Sequence, residues 1–172
     1  MAERIVHIDW DGPFSIDELG SLMDNEVDYG IYQVYGTHHI YGSDVLLYIG
    51  KADKQTFGVR LKQEAWRNNC DSNKVSIYIG RLAGESTPNS NQWSKEIELA
   101  EKLLIYSHSP AFNSQSLNYI PDKDLYGFHV LNWGNFRSLL PEVSGFRWTN
   151  KFDIMPNYNL YGQHKGLKKT YK

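Results

Sequence analysis

A single cysteine, Cys70, stands among 172 residues. That excludes both a disulfide framework and a cysteine-built zinc site, and fits a reducing setting. No stretch of about eighteen apolar residues occurs, so no membrane-spanning helix is expected. The opening MAERIVHIDWDG lacks an apolar core followed by a small-residue cleavage site, so no secretory leader is expected and the cytoplasm is the expected compartment. Charge of one sign is also scarce overall. A net charge of −2 argues against a dedicated nucleic-acid coat protein.

What is present suffices for a core, with 41% hydrophobic and 14% aromatic residues. The length suits one compact domain with extensions. Charge is distributed unevenly. Glu3, Asp9, Asp11, Asp17, Glu18, Asp24, Glu26 and Asp28 face one base, Arg4, at the start. Lys151, Lys165, Lys168, Lys169 and Lys172 face only Asp153 at the end. Such asymmetry marks either an anionic partner for the basic end or a solvated tail.

Hydrophobic patterning gives a strand at RIVHI and a helix at SIDELGSLMDN, with Ser15 as cap and Glu18 three residues on. YGIYQVYG and VLLYIG read as two strands of a hairpin, joined by a turn-rich, long loop around THHIYGSD. QTFGVRLKQEAWRN carries a helical stripe at Phe57, Leu61 and Ala65. KVSIYIGRL alternates as a third strand with one buried face. SNQWSKEIELAEKLLIYSH is the longest helix, with Trp93, Ile97, Ala100, Leu103 and Leu104 inward, and Pro110 stops it. YGFHVLNWG is a further strand. The order of elements predicts an α+β fold rather than a doubly wound one.

Individual residues have ordinary readings. Glu101 borders the apolar stripe of its helix, as either a side chain reaching water or a carboxylate held for a cation. Arg60 is placed to pair with Glu64 one turn on. Tyr32 and Tyr48 read as strand tyrosines at a core edge.

Taken in order, the residues say more. Gly30-Ile31-Tyr32, then Tyr48-Ile49-Gly50-Lys51-Ala52, then Arg60, then Glu101 with Asn113 twelve residues later, form a series. It resembles the GIY-YIG nuclease superfamily, which includes homing endonucleases, some restriction enzymes and the nuclease domain of bacterial excision-repair proteins. The resemblance spans Asp28 to Asn118 and selects Tyr48–Gly50, not Tyr78–Gly80, as the second triplet. It implies a small, mainly antiparallel three-stranded sheet flanked by helices. Residues 1–27 and 119–172 would then be N- and C-terminal extensions of a 28–118 nuclease-like domain.

The same resemblance implies a metal-dependent endonuclease acting on nucleic acid, with DNA the expected substrate and no membrane partner. Glu101 would bind one Mg²⁺, or Mn²⁺ in its place. Arg60 would clamp the developing phosphorane charge. Tyr32 and Tyr48 would orient and deprotonate the attacking water. At a pKa of about 10 an ionised tyrosine costs roughly 4 kcal/mol at neutral pH, and Lys51 is the cation expected to lower that cost. Asn113 would pin the segment after the helix. One position departs from the pattern, because many active members carry histidine or tyrosine where Glu64 stands. Glu64 can hold Arg60, act as a carboxylate base, or add negative charge near the metal. His38 and His39 in the hairpin loop are candidates for the missing imidazole and for nucleic-acid contact. Lys165, Lys168 and Lys169 are candidates for phosphate contact. The rival expectation is a domain of the same fold with Glu64 neutralising Arg60, kept as a nucleic-acid or protein binding module.

Overall fold

The computed structural model describes residues 4–64, 74–118 and 123–146. Six strands, β1 (Arg4–Phe14), β2 (Gly30–His38), β3 (Gly42–Ala52), β4 (Ser76–Ala83), β5 (Phe128–Gly134) and β6 (Glu142–Ser144), make one sheet. Its order is β3-β2-β4-β1-β5-β6. Among the described residues two helices accompany it, α1 (Phe57–Gln63) and α2 (Ser90–His108), with short 3-10 turns at Ile16–Ser21 and Lys123–Leu125.

This overturns the expected small three-stranded antiparallel sheet. The sheet is six-stranded, mixed and curled into a half-barrel. The extra strands come from the segments read as extensions. β1 pairs antiparallel with β4 on one side and parallel with β5 on the other, from Arg4↔Phe128 to Trp10↔Gly134. β6 then pairs antiparallel with β5. The physical reason lies in β1 itself. It places Val6, Ile8 and Trp10 on one face buried under α2, which sets the strand inside the sheet, where β4 and β5 take up the hydrogen bonds of its two edges.

Two cores form, one on each face. Ile31, Ile49, Tyr78 and the inward side of β1 and β5 pack under α2, against Ile97, Ala100, Leu103 and Leu104. Tyr32, Val34, Ile77 and Ile79 pack on the other face with Phe57 and Leu61 of α1 and with Leu19 and Leu22. β4 is therefore covered on both sides from Ile77 to Gly80, not on one as its alternation suggested.

Local chemistry explains most boundaries. Asn89 caps α2 by accepting from the Gln92 N–H at 3.0 Å. The helix ends where Ser109 turns left-handed ahead of Pro110. The expected helix after Ser15 is a six-residue 3-10 turn, too short to sustain an α nucleus. Its reciprocal cap is present, with the Ser15 N–H donating to Glu18 Oε2 at 2.7 Å. Gly30 opens β2 at φ 143°, where a side chain would meet the Gly80 carbonyl. The hairpin loop is short rather than long, since β2 and β3 continue to a His38↔Gly42 pair. No helix among the described residues is long and apolar enough to cross a membrane.

Candidate active site

β3 is an edge strand, and its upper half is sealed by the chain leaving α2. The Ala111 and Phe112 N–H groups donate to the Leu46 and Leu47 carbonyls at 3.2 and 2.8 Å. Asn113 then completes the seal with its side chain. Its Oδ1 accepts from the Ile49 N–H at 3.0 Å, and its Nδ2 donates to the Ile49 carbonyl at 2.9 Å. The amide thus stands in for one residue of a neighbouring strand.

Beyond Ile49, side chains from four elements gather. Tyr32 of β2 and Tyr48 of β3 lie with ring centroids 6.1 Å apart, tilted by 31°. Tyr32 faces Gly50 across the strand pair, and any side chain at Gly50 would run into the Tyr32 ring and hydroxyl. The glycine of the second triplet is therefore what lets the tyrosine of the first lie flat. Arg60 arrives on α1, whose start is anchored to the carbonyls of Asp28 and Leu22 by the Phe57 and Gly58 N–H groups, at 2.9 and 2.7 Å.

Glu64 ends α1 in extended backbone, and its side chain turns back to Arg60, with Oε1 2.5 Å from Nη2. That carboxylate is only 8% exposed whereas Arg60 is 43% exposed, so the acid is interior and the guanidinium reaches solvent. Despite the close ion pair, Glu64 Oε1 accepts no well-angled hydrogen bond. The Tyr32 hydroxyl and the Thr56 hydroxyl are likewise buried and unpartnered among the described residues. Tyr32, Glu64 and Arg60 thus lie against one another, with the Tyr32 hydroxyl and the Glu64 carboxylate held away from solvent.

Glu101 comes from the opposite face, on α2, 3.6 Å from the Lys51 ammonium. Burial lifts its carboxyl to about 7. Lys51 opposes the rise, Asp53 adds to it and Arg60 opposes it. Asp53 is a residue the sequence did not single out. It accepts from Ser94 Oγ of α2 at 3.0 Å, tying the end of β3 to the helix that bears Glu101. Its only sequence signal is its place directly after the YIGKA run.

The tyrosines are not tuned as expected. Burial, then the charge of Glu64, then Tyr48, drive the Tyr32 hydroxyl well above its ordinary value. Tyr48 is pushed up to about 12, by burial first and then by Glu64 and Glu101. Lys51 spends its charge on Glu101 instead. Both tyrosines are therefore protonated donors at neutral pH. Burial works against the Arg60 charge, but Glu64 and the tyrosines outweigh it and raise its pKa.

The donor set bears on the metal. No group of three or more His, Cys, Asp or Glu converges among the described residues, which leaves no all-protein cage. One carboxylate of raised proton affinity beside a second acid fits a hard cation that keeps most of its waters, as Mg²⁺ does. The hairpin histidines are elsewhere. His38 Nδ1 accepts from the Ile40 and Tyr41 N–H groups at 3.2 and 3.3 Å and so organises the hairpin turn. His39 is exposed at that turn. Lys165, Lys168 and Lys169 lie outside the described residues. No protein-family model matches the chain, and no curated protein and no solved structure is significantly similar to it.

Proposed function

We propose that the chain is a metal-dependent endonuclease that hydrolyses phosphodiester bonds, with DNA as substrate. The observation that carries this reading is the convergence of Tyr32, Tyr48, Arg60, Glu64, Lys51 and Glu101 at the open end of β3. A cation held by Glu101 supplies charge neutralisation on the phosphate when bound. Arg60, the most exposed of the ion-paired groups there, meets the phosphate oxygens and stabilises charge that develops on them. Tyr32 and Tyr48 orient the attacking water as donors and acceptors. Glu64, an acid next to both hydroxyls, takes the proton that a tyrosine of such high pKa does not. Attack forms the water O–P bond and breaks the P–O bond to the leaving sugar oxygen. That oxygen takes a proton from solvent, and Glu64 later returns its own.

A second reading is supported by one observation, the Arg60–Glu64 pair at 2.5 Å. It fills the anion-binding face of Arg60 and favours a module that binds nucleic acid or protein without cutting.

A plasmid nicking assay in Mg²⁺ or Mn²⁺, with and without chelator, tests the proposal. The parent should nick, and Glu101→Ala should lose about 10²–10³-fold. Equal nicking by both would refute the site. Metal-independent DNA binding with no nicking, and a Glu64→His variant as inert as the parent, would favour the second reading.

A further inference from the structure

The β2–β3 hairpin runs past the site and ends in two bare apolar side chains. Ile40 is 82% exposed and Tyr41 is 67% exposed, the highest values among the large apolar residues described. Their neighbours Thr37, His39, Gly42, Ser43 and Asp44 are exposed and polar or small, so the apolar surface is a narrow convex point rather than a patch.

The point is held stiffly. His38 Nδ1 accepts from the backbone N–H of both tip residues. Its ring stacks on Tyr41 at 4.7 Å and packs against Phe112 at 5.3 Å. From the turn between β5 and β6, Arg137 Nη2 donates to Asp44 Oδ1 at 2.7 Å, and its guanidinium sits 4.7 Å from the Tyr35 ring centroid. Three side chains from outside the turn therefore brace a tip that itself buries almost nothing. Ile40 and Tyr41 are adjacent, the most exposed large apolar side chains described, and held on a braced point, a geometry suited to contact with a partner.

The shape selects the partner. Two side chains on a convex tip are too little for a protein–protein interface, which buries about 1,000 Å² or more. They match the apolar wedges that enter a base step and unstack it. The same hairpin carries Tyr32 and Tyr48, so the tip is at a fixed distance from the chemistry. Six residues separate Tyr48 from Gly42, about 20 Å of strand, which corresponds to about six base steps of a duplex. We infer that Ile40 and Tyr41 form a wedge that opens a base step of a nucleic-acid substrate about 20 Å from the scissile phosphate. This rests on nucleic acid as the target proposed above and not on cleavage.

The test uses the full chain and a short duplex carrying 2-aminopurine, without metal, beside the plasmid nicking assay. The parent should raise 2-aminopurine emission on binding. Ile40→Ser/Tyr41→Ser should abolish the rise and weaken binding about tenfold or more. Its melting temperature should match the parent, since both side chains are exposed. A parent that nicks without raising the emission, or a double variant that binds and unstacks as the parent does, overturns the wedge and leaves the nuclease reading standing. Unstacking by a parent that does not nick upholds the wedge on a binding module. A parent with no affinity for nucleic acid overturns both, as does a tip whose loss affects only vesicle binding or self-association.

Discussion

The sheet contains the triplet Tyr-Ile-Gly twice, and the two copies face opposite ways. In Tyr48–Gly50 the tyrosine is half-buried on the α1 face beside Tyr32 and the isoleucine lies under α2. In Tyr78–Gly80 the phase is reversed. Tyr78 is buried under α2, edge-on to Tyr35 at 5.6 Å, and Ile79 packs on the α1 side. The register shows why, because β2 sits between them and pairs Val34 with both Tyr48 and Ile77. Opposite residues share a face, so the copies are offset by one residue, and one residue is enough to exchange the faces. Identical letters become an acid-lined site in one strand and packing in the other.

Removing each hydroxyl should separate the copies most clearly. Tyr48→Phe should lose about 10²–10³-fold in nicking, whereas Tyr78→Phe should stay within about twofold, since surface or packing changes away from a site have small effects. A comparable loss in both would erase the distinction. Only the first triplet looks onto a carboxyl of raised pKa, so pH should tell them apart next. Glu101 rises from 4.5 to about 7 in the fold. Below the unfolded value the carboxyl is neutral in both states and nothing is lost. As pH climbs through about 7, the folded state must ionise a group only 19% exposed, and stability falls. At 1.36 kcal/mol per unit the loss approaches about 3 kcal/mol. Denaturation of Glu101→Gln should therefore match the parent at pH 4 and exceed it at pH 8, with Mg²⁺ closing the gap by stabilising only the parent.

The glycines sharpen the comparison at smaller cost. Gly80→Ala would push into Ile8 and Trp10, with Trp10 ring atoms 2.9 Å from the new carbon. Overpacking of that kind costs about 1–3 kcal/mol, and nicking should survive in whatever remains folded. Gly50→Ala meets the Tyr32 ring instead, so nicking should fall further than stability does. Smallest is Asn113→Ala, which removes both bonds to Ile49 and should cost about 1–2 kcal/mol in urea denaturation.

The residues of the site were legible because they lie on strong local signals. The two triplets sit on a hairpin, Arg60 on a short amphipathic helix, and Glu101 at a fixed spacing before Asn113. Their surroundings were not. The proton affinity of Tyr32 depends on Glu64, and Glu64 reaches it only because α1 stops one residue earlier and leaves that backbone extended. RIVHI announced a short strand but carried no information on its neighbours, so the central position of β1 was invisible. Asp53 was missed for a similar reason, because its partner Ser94 lies 41 positions away in the chain.

That central position has a consequence in time. β1 is synthesised before the strands it pairs with, which come from the middle and the end of the described chain. Trp10 waits for Asn132, 122 positions later, before its indole N–H finds the amide oxygen it donates to. At ordinary rates of synthesis that interval is roughly 6–25 s. Through all of it, Val6, Ile8 and Trp10 belong to a strand with at least one open side. The hairpin bearing Tyr32 and Tyr48 closes early, from neighbours in sequence, while the strand beside β4 is made before either of its partners and is fully paired only after β5. Loss of the first fourteen residues would therefore remove a middle plank rather than an overhang, and would leave β4 and β5 without the strand that joins them.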